Sequence, residues 1–166
     1  MNGQKHSVAN DRPVIGKYNV NNEGSTDMYY KGAQLLNTLR HVLNDDEKWW
    51  KILLNYSETY RHQIIDTPTV ISFFNTQFGQ DLSPIFDQYL NYRDIPELIV
   101  EKNKKEIRFK WKTDIANFKM PVVLFYEGKE IRLDATNDWK FFKVKDKKDV
   151  VSFDNSQFFI KVDYNL

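Results

Sequence analysis

The apolar residues of this chain change period once, near the middle. From Asp27 they recur at Met28, Leu35, Leu36, Leu39, Val42 and Leu43, a spacing that lays one stripe along a helix, with Ser25, Thr26 or Asp27 placed to cap its first turn. Asn44 followed by Glu47 has the form of a capping box and predicts a second helix, whose stripe runs through Trp50, Leu53, Leu54 and Tyr60. Thr67-Pro68 and Ser83-Pro84 each set a hydroxyl before a proline suited to the first helical position, which predicts a third and a fourth helix. Gly79 is placed to close the third. After Ile95-Pro96 the period falls to two. "KEIRFKWK" alternates Ile107, Phe109 and Trp111 inward with Arg108, Lys110 and Lys112 outward, the pattern of a half-buried strand. Further strands are predicted over Leu98 to Glu101 and Lys140 to Val144. "PVVLFYEGKEIRLDA" reads as two strands hinged at Glu127-Gly128-Lys129, and "VVSFDNSQFFIKVDY" as two more around Asp154-Asn155-Ser156.

Helices followed by six or seven short strands, with no helix between the strands, predict an α+β chain built as two modules. The first is a helical bundle of about four helices and the second an antiparallel β-sandwich. The boundaries follow from the change of period. Residues 1–24, rich in Asn and Gly with one apolar patch at Pro13-Val14-Ile15, form an irregular leader, 25–94 the helical part and 95–166 the sandwich.

Composition narrows the chemistry. A single domain of 166 residues buries roughly two thirds of its unfolded surface, so a packed core needs no staples. Cysteine is absent, which removes disulfides, thiolate metal sites and a cysteine nucleophile. The formal net charge is +1 with both signs interspersed, and no run is long enough to span a membrane, so nothing points to nucleic acid or a membrane as partner. The three histidines, His6, His41 and His62, lack the i, i+4 partner and glutamate of a helical zinc site. No G-x-S-x-G, G-x-G-x-x-G or P-loop occurs. Asp45-Asp46-Glu47 sits where carboxylates favour the positive end of a helix, and Lys102 to Lys105 reads as a solvated turn.

"YYKG" at Tyr29 to Gly32 is harder to explain by stability. Two tyrosines in one first turn cannot both face a core, and a helical glycine costs about 1 kcal/mol relative to alanine. Either Gly32 lets another helix pack, or a tyrosine hydroxyl is held at the edge of a cleft with close-packed backbone behind it.

At this point the residues resemble a known family. "DMYYKGAQLLNTLRHVL" is similar to the Tyr-x-Lys-Gly segment of the aminopeptidase N family of zinc metallopeptidases, the gluzincin aminopeptidases. "ANDRPVIG" resembles what precedes that segment, and "DTPTVISFFNTQFGQDLSPIFDQYLNYRDIPEL" the helices that follow it before a β-sandwich, in the manner of bacterial members. The resemblance implies that residues 25–94 are the helical end of a thermolysin-like catalytic domain. It also implies that Tyr29 is the catalytic tyrosine, whose phenol donates a hydrogen bond to the oxyanion formed at the scissile carbonyl. Lys31 and Gly32 match the family's positions and are assigned structural roles, and Tyr30 falls on the variable position. The family's H-E-x-x-H, its later glutamate and its Gly-rich Met-Glu-Asn segment are missing from this chain. The expectation is therefore a C-terminal fragment of a zinc aminopeptidase, holding no metal or cofactor itself and inactive alone. Zinc and the peptide substrate belong to the intact enzyme, and self-association through an exposed apolar face accompanies the cut. The alternative is a non-catalytic binding or interaction module that reads a sugar or protein with its aromatic-rich sandwich, in which case Trp111 and Trp139 should share an open face.

Overall fold

The computed structural model describes residues 8–16, 26–103, 105–146 and 149–165. His6, Ser25 and Lys104 lie outside them, as do residues 1–7 and 17–24 of the leader expected over 1–24. Four helices come first, α1 (Asp27–Leu43), α2 (Asp46–Thr59), α3 (Thr67–Phe78) and α4 (Ser83–Asn91). Seven strands follow: β1 (Glu97–Asn103), β2 (Glu106–Lys112), β3 (Lys119–Tyr126), β4 (Lys129–Thr136), β5 (Lys140–Lys143), β6 (Val151–Phe153) and β7 (Lys161–Asn165). The α+β order read from the change of period is the one the chain adopts.

The strands make two sheets, β5-β2-β1-β7 and β4-β3-β6. β7 lies parallel to β1, with Leu98 opposite Val162, and the other pairs are antiparallel. The two strands expected around Asp154-Asn155-Ser156 both form, but in different sheets: β6 pairs with β3 and β7 joins the far edge beside β1. A local turn starts the crossing, because one Asp154 carboxylate oxygen accepts both the N–H and the hydroxyl of Ser156 at 2.7 Å. Phe158, Phe159 and Ile160 are then buried, so the segment runs through the core instead of folding back. Across the sheets the Phe109 and Phe153 rings lie 5.4 Å apart and the Trp111 indole N–H donates to the Met120 carbonyl at 2.9 Å. The buried apolar residues of the helices and of both sheets form one cluster.

Several helix details differ from expectation. The cap of α2 is Asp45, whose carboxylate accepts the Lys48 N–H at 2.9 Å; Asn44 instead ends α1 in the left-handed conformation, φ 56°. Likewise Asp66 caps α3, accepting from the N–H and the hydroxyl of Thr69, while Thr67 is already helical. Ser83 is inside α4, its N–H bound by Asp81 at 2.9 Å. Gly79 closes α3 at φ 69°, the conformation glycine adopts without strain. The buried residues of α2 are Trp49 and Ile52, not Trp50 and Leu54, because Trp49 meets Phe74 and Phe78 of α3 at 6.2 and 6.4 Å.

Helix α1 departs furthest. Met28 and Leu36, expected inward, are exposed, and its buried face includes Asp27, Lys31, Gln34, Asn37 and Thr38. Leu35, Leu39 and Val42 of the predicted stripe are buried as expected, and the polar residues join them because this face meets backbone groups outside the sheets' own ladders. The Asn37 amide donates to the Gln157 carbonyl at 3.0 Å, the Thr38 hydroxyl accepts the Phe159 N–H at 3.0 Å, and the Tyr89 hydroxyl of α4 donates to the Phe159 carbonyl at 2.7 Å. At the other end Arg132 of β4 donates to the His41 and Val42 carbonyls at 2.9 and 2.7 Å, placing a cation on the negative end of the helix.

Candidate functional site

The first turn of α1 is fastened from behind by two buried, opposite charges one turn apart. Asp27 accepts the N–H groups of Ala9 and Asn10, one on each carboxylate oxygen, both at 2.8 Å. Lys31 donates from Nζ to the carbonyls of Tyr92 and Arg93, at 3.0 and 2.8 Å, where α4 hands over to β1. Both side chains are fully buried. Burial holds the Lys31 ammonium below the usual lysine value, opposed by the nearby Asp27 and Asp94 carboxylates and reinforced by Lys161. The leader is held against the end of α4 by the Ile15 N–H on the Leu90 carbonyl at 2.9 Å, so three segments converge behind this turn.

Tyr29 stands two positions from each of these residues, which on a helix is a rotation of roughly 200°. It therefore points away from the fastening. It is 68% exposed, and its hydroxyl makes no hydrogen bond among the described residues. Tyr30 is 38% exposed. Among the described residues nothing lies within 4 Å of a Cβ added at Gly32, so none of their elements packs into that notch. Lys31, to which the resemblance assigned a structural role, meets two backbone carbonyls here. Its partners were not readable in advance, although opposite charges at i and i+4 on the face that carries Leu35 were a signal for buried pairing.

The other candidates have ordinary places. His41 is half-buried near the end of α1, 6.1 Å from the Phe158 ring, and burial with the adjacent Arg40 lowers its pKa. His62 is exposed just beyond α2 in a left-handed conformation, φ 59°. Asp46 takes a fork from Arg40 at 2.7 and 2.5 Å, and Glu47 pairs with Lys51 at 2.5 Å. Among the described residues no three His, Cys, Asp or Glu side chains gather in a way that could hold a metal ion, so these residues do not fit zinc. Trp111 is buried, and Trp139 is half-buried with Arg108 and Lys110 at 4.5 and 4.8 Å from its ring, so the two do not share an open face. A cavity of about 680 Å³ between the start of α4 and strands β3 and β4, lined by Leu82, Ile85, Met120 and Asp134 among others, includes no residue of the first turn of α1.

No protein-family model matches the sequence, and no curated protein matches it. Among solved structures the fold is similar to a crystal structure of Legionella pneumophila aminopeptidase A in complex with aspartic acid, with a TM-score of 0.67 and 17% sequence identity. The similarity covers 86% of this chain and 18% of that one, so the chain spans less than a fifth of the length of the protein it resembles.

Proposed function

We propose that this chain is a portion of a zinc aminopeptidase of the aminopeptidase N type, with 25–94 the helical end of the catalytic domain and 95–166 the sandwich beside it. In the complete enzyme Tyr29 is the oxyanion donor. The observation that carries this is the state of the Tyr29 phenol, exposed and without a hydrogen-bond partner among the described residues on a turn fastened from its far side. The similarity in fold to part of an aminopeptidase supports it. A fixed turn keeps the hydroxyl aimed before substrate arrives, and donors placed in advance at a developing charge are the ones that lower a barrier. The substrate is a peptide with a free N-terminus, and the reaction is hydrolysis of its first peptide bond. Tyr29 donates a hydrogen bond to the carbonyl oxygen as negative charge builds on it, an interaction worth about 3 kcal/mol in the transition state.

The zinc of such an enzyme has to be held by other segments, since the described residues do not fit it. The isolated chain is therefore expected to be inactive. Lys31 and Gly32 take no chemical part: the first fastens the turn and the second leaves room beside it. In the intact enzyme, Tyr29→Phe should lower kcat by roughly a hundredfold or more with zinc content unchanged. A variant with near-normal kcat removes Tyr29 from the mechanism. Chelator-sensitive hydrolysis of aminoacyl substrates by this chain alone would refute the fragment reading. The non-catalytic binding module draws no support from Trp111, which is buried.

A further inference from the structure

We propose that the cavity between the start of α4 and strands β3 and β4 binds a small amphipathic anion, an aliphatic or aromatic body that ends in a carboxylate or sulfonate. The space holds about 680 Å³, within the roughly 300–1,000 Å³ of small-molecule sites, and it opens where the helices meet the sandwich. Its floor is apolar. Leu82 and Ile85 at the start of α4, Met120 of β3 and Ala135 of β4 are all buried and line it, with Val42 of α1 beside them. Pro84 and Pro121, which also line it, bring no N–H to the wall. Water against such a floor finds few partners, so an apolar body displaces it favourably.

The rim sets the sign of the ligand's charge. Lys119 opposes Thr136 across β3 and β4. Lys140 opposes the buried Phe109 across β5 and β2, so it leaves its strand on the side turned toward the other sheet. Both lysines line the cavity and are exposed, and neither forms an ion pair among the described residues. Two carboxylates share this rim. Asp81 is already engaged, accepting the Ser83 N–H at 2.9 Å and the Asn75 amide at 3.2 Å. Asp134 opposes Pro121, and its short side chain stays in that row of the sheet. Lysine carries its ammonium on a flexible four-carbon stem, so Lys119 and Lys140 can both swing over the opening and close on one negative group. The ligand charge that gains most is therefore an anion, and the floor requires that an apolar body come with it.

The probe is anilinonaphthalene sulfonate, an aromatic body with one sulfonate, titrated into the folded full chain and read by its fluorescence. It should saturate at one dye per chain with a dissociation constant on the order of 10–100 µM. Octanoate should displace it, and each two-carbon step from butyrate to hexanoate to octanoate should strengthen displacement by about fivefold or more. Octylammonium and inorganic phosphate should both fail at about ten times the octanoate concentration, the first for its charge and the second for want of an apolar body. Lys119→Ser combined with Lys140→Ser should weaken the dye by about tenfold or more at unchanged thermal stability, because both side chains are exposed. Asp134→Asn removes an opposing charge and should tighten the dye by about threefold. No saturable binding up to about 1 mM, displacement by octylammonium as strong as by octanoate, or wild-type affinity in the double lysine variant overturns the proposal. So does weaker binding in Asp134→Asn, which would mean that the carboxylate grips the ligand. None of these outcomes depends on Tyr29 or on the aminopeptidase reading.

Discussion

Lys31→Met tests whether the fastening behind α1 holds the fold together. Methionine keeps most of the aliphatic stem and removes the group that donates to Tyr92 and Arg93 at 3.0 and 2.8 Å. A hydrogen bond from a charged group contributes about 1.5–3 kcal/mol, and removing one partner of a buried charged contact costs about 3–5 kcal/mol. The Arg93 backbone lies in an exposed residue, so water can recover part of the loss, and about 3 kcal/mol is the expected destabilisation. With a urea slope of about 1–3 kcal/mol/M, the midpoint should fall by roughly 1–3 M with the slope unchanged. The pH dependence has a definite sign. Burial lowers the folded-state pKa of Lys31 below its ordinary 10.5, so between the two values the unfolded chain binds more protons and stability rises with pH. The neutral amine still donates to both carbonyls, so deprotonation removes the desolvation cost and keeps the bonds. Wild type should therefore gain stability over Lys31→Met as alkaline pH passes the folded-state pKa. A midpoint within about 0.3 M of wild type would show that the buried ammonium contributes nothing net. A gap that narrows with rising pH would refute burial as the dominant influence on it.

Other perturbations probe the remaining joints. Arg132→Ala removes the two donors on the end of α1 and should cost about 1–2 kcal/mol in a denaturant titration, with a loss under about 0.3 kcal/mol counting against a capping role. Tyr89→Phe deletes a buried hydroxyl bonded to the Phe159 carbonyl at 2.7 Å and should cost about 1–2 kcal/mol; an equally stable variant would mean that the 157–159 segment is held without it. Hydrogen bonds from the Thr69 hydroxyl and N–H hold Asp66 below the usual carboxylate range, so its contribution is present above its unfolded pKa and lost as pH falls through the lower folded value. Asp66→Asn, which keeps an acceptor without the charge, should flatten part of the acid limb of a stability–pH curve, and an unchanged limb would refute this.

Local rules reach as far as local causes do. The proline-opened third and fourth helices, the glycine that closes the third and the period-two strands on either side of Gly128 are written in the chain, because each depends on backbone geometry within a few residues. Caps slipped by one residue at α2 and α3 because Asp45 and Asp66 offer a carboxylate where Asn44 and Thr67 were expected to act, and Asn44 is taken up by the end of α1. The exposure of Tyr29, without a hydrogen-bond partner among the described residues, could not be read from "YYKG", since exposure depends on what packs against a helix, and the sequence names no partners.

The sequence by itself determined the order of elements, the α+β class and most element boundaries. Which face of α1 and α2 turns inward was decided only by the tertiary structure. Both helices carry apolar residues on more than one side, so periodicity allows more than one burial. Trp49 was chosen over Trp50 because Phe74 and Phe78 of α3 lie beside it. Lys31, Asn37 and Thr38 were buried in preference to Met28 and Leu36 because backbone donors and acceptors from Tyr92, Arg93, Gln157 and Phe159 come to meet them. A buried peptide group without a partner is costly, so polar side chains that satisfy such groups share the buried face with Leu35, Leu39 and Val42, and Met28 and Leu36 are left at the surface.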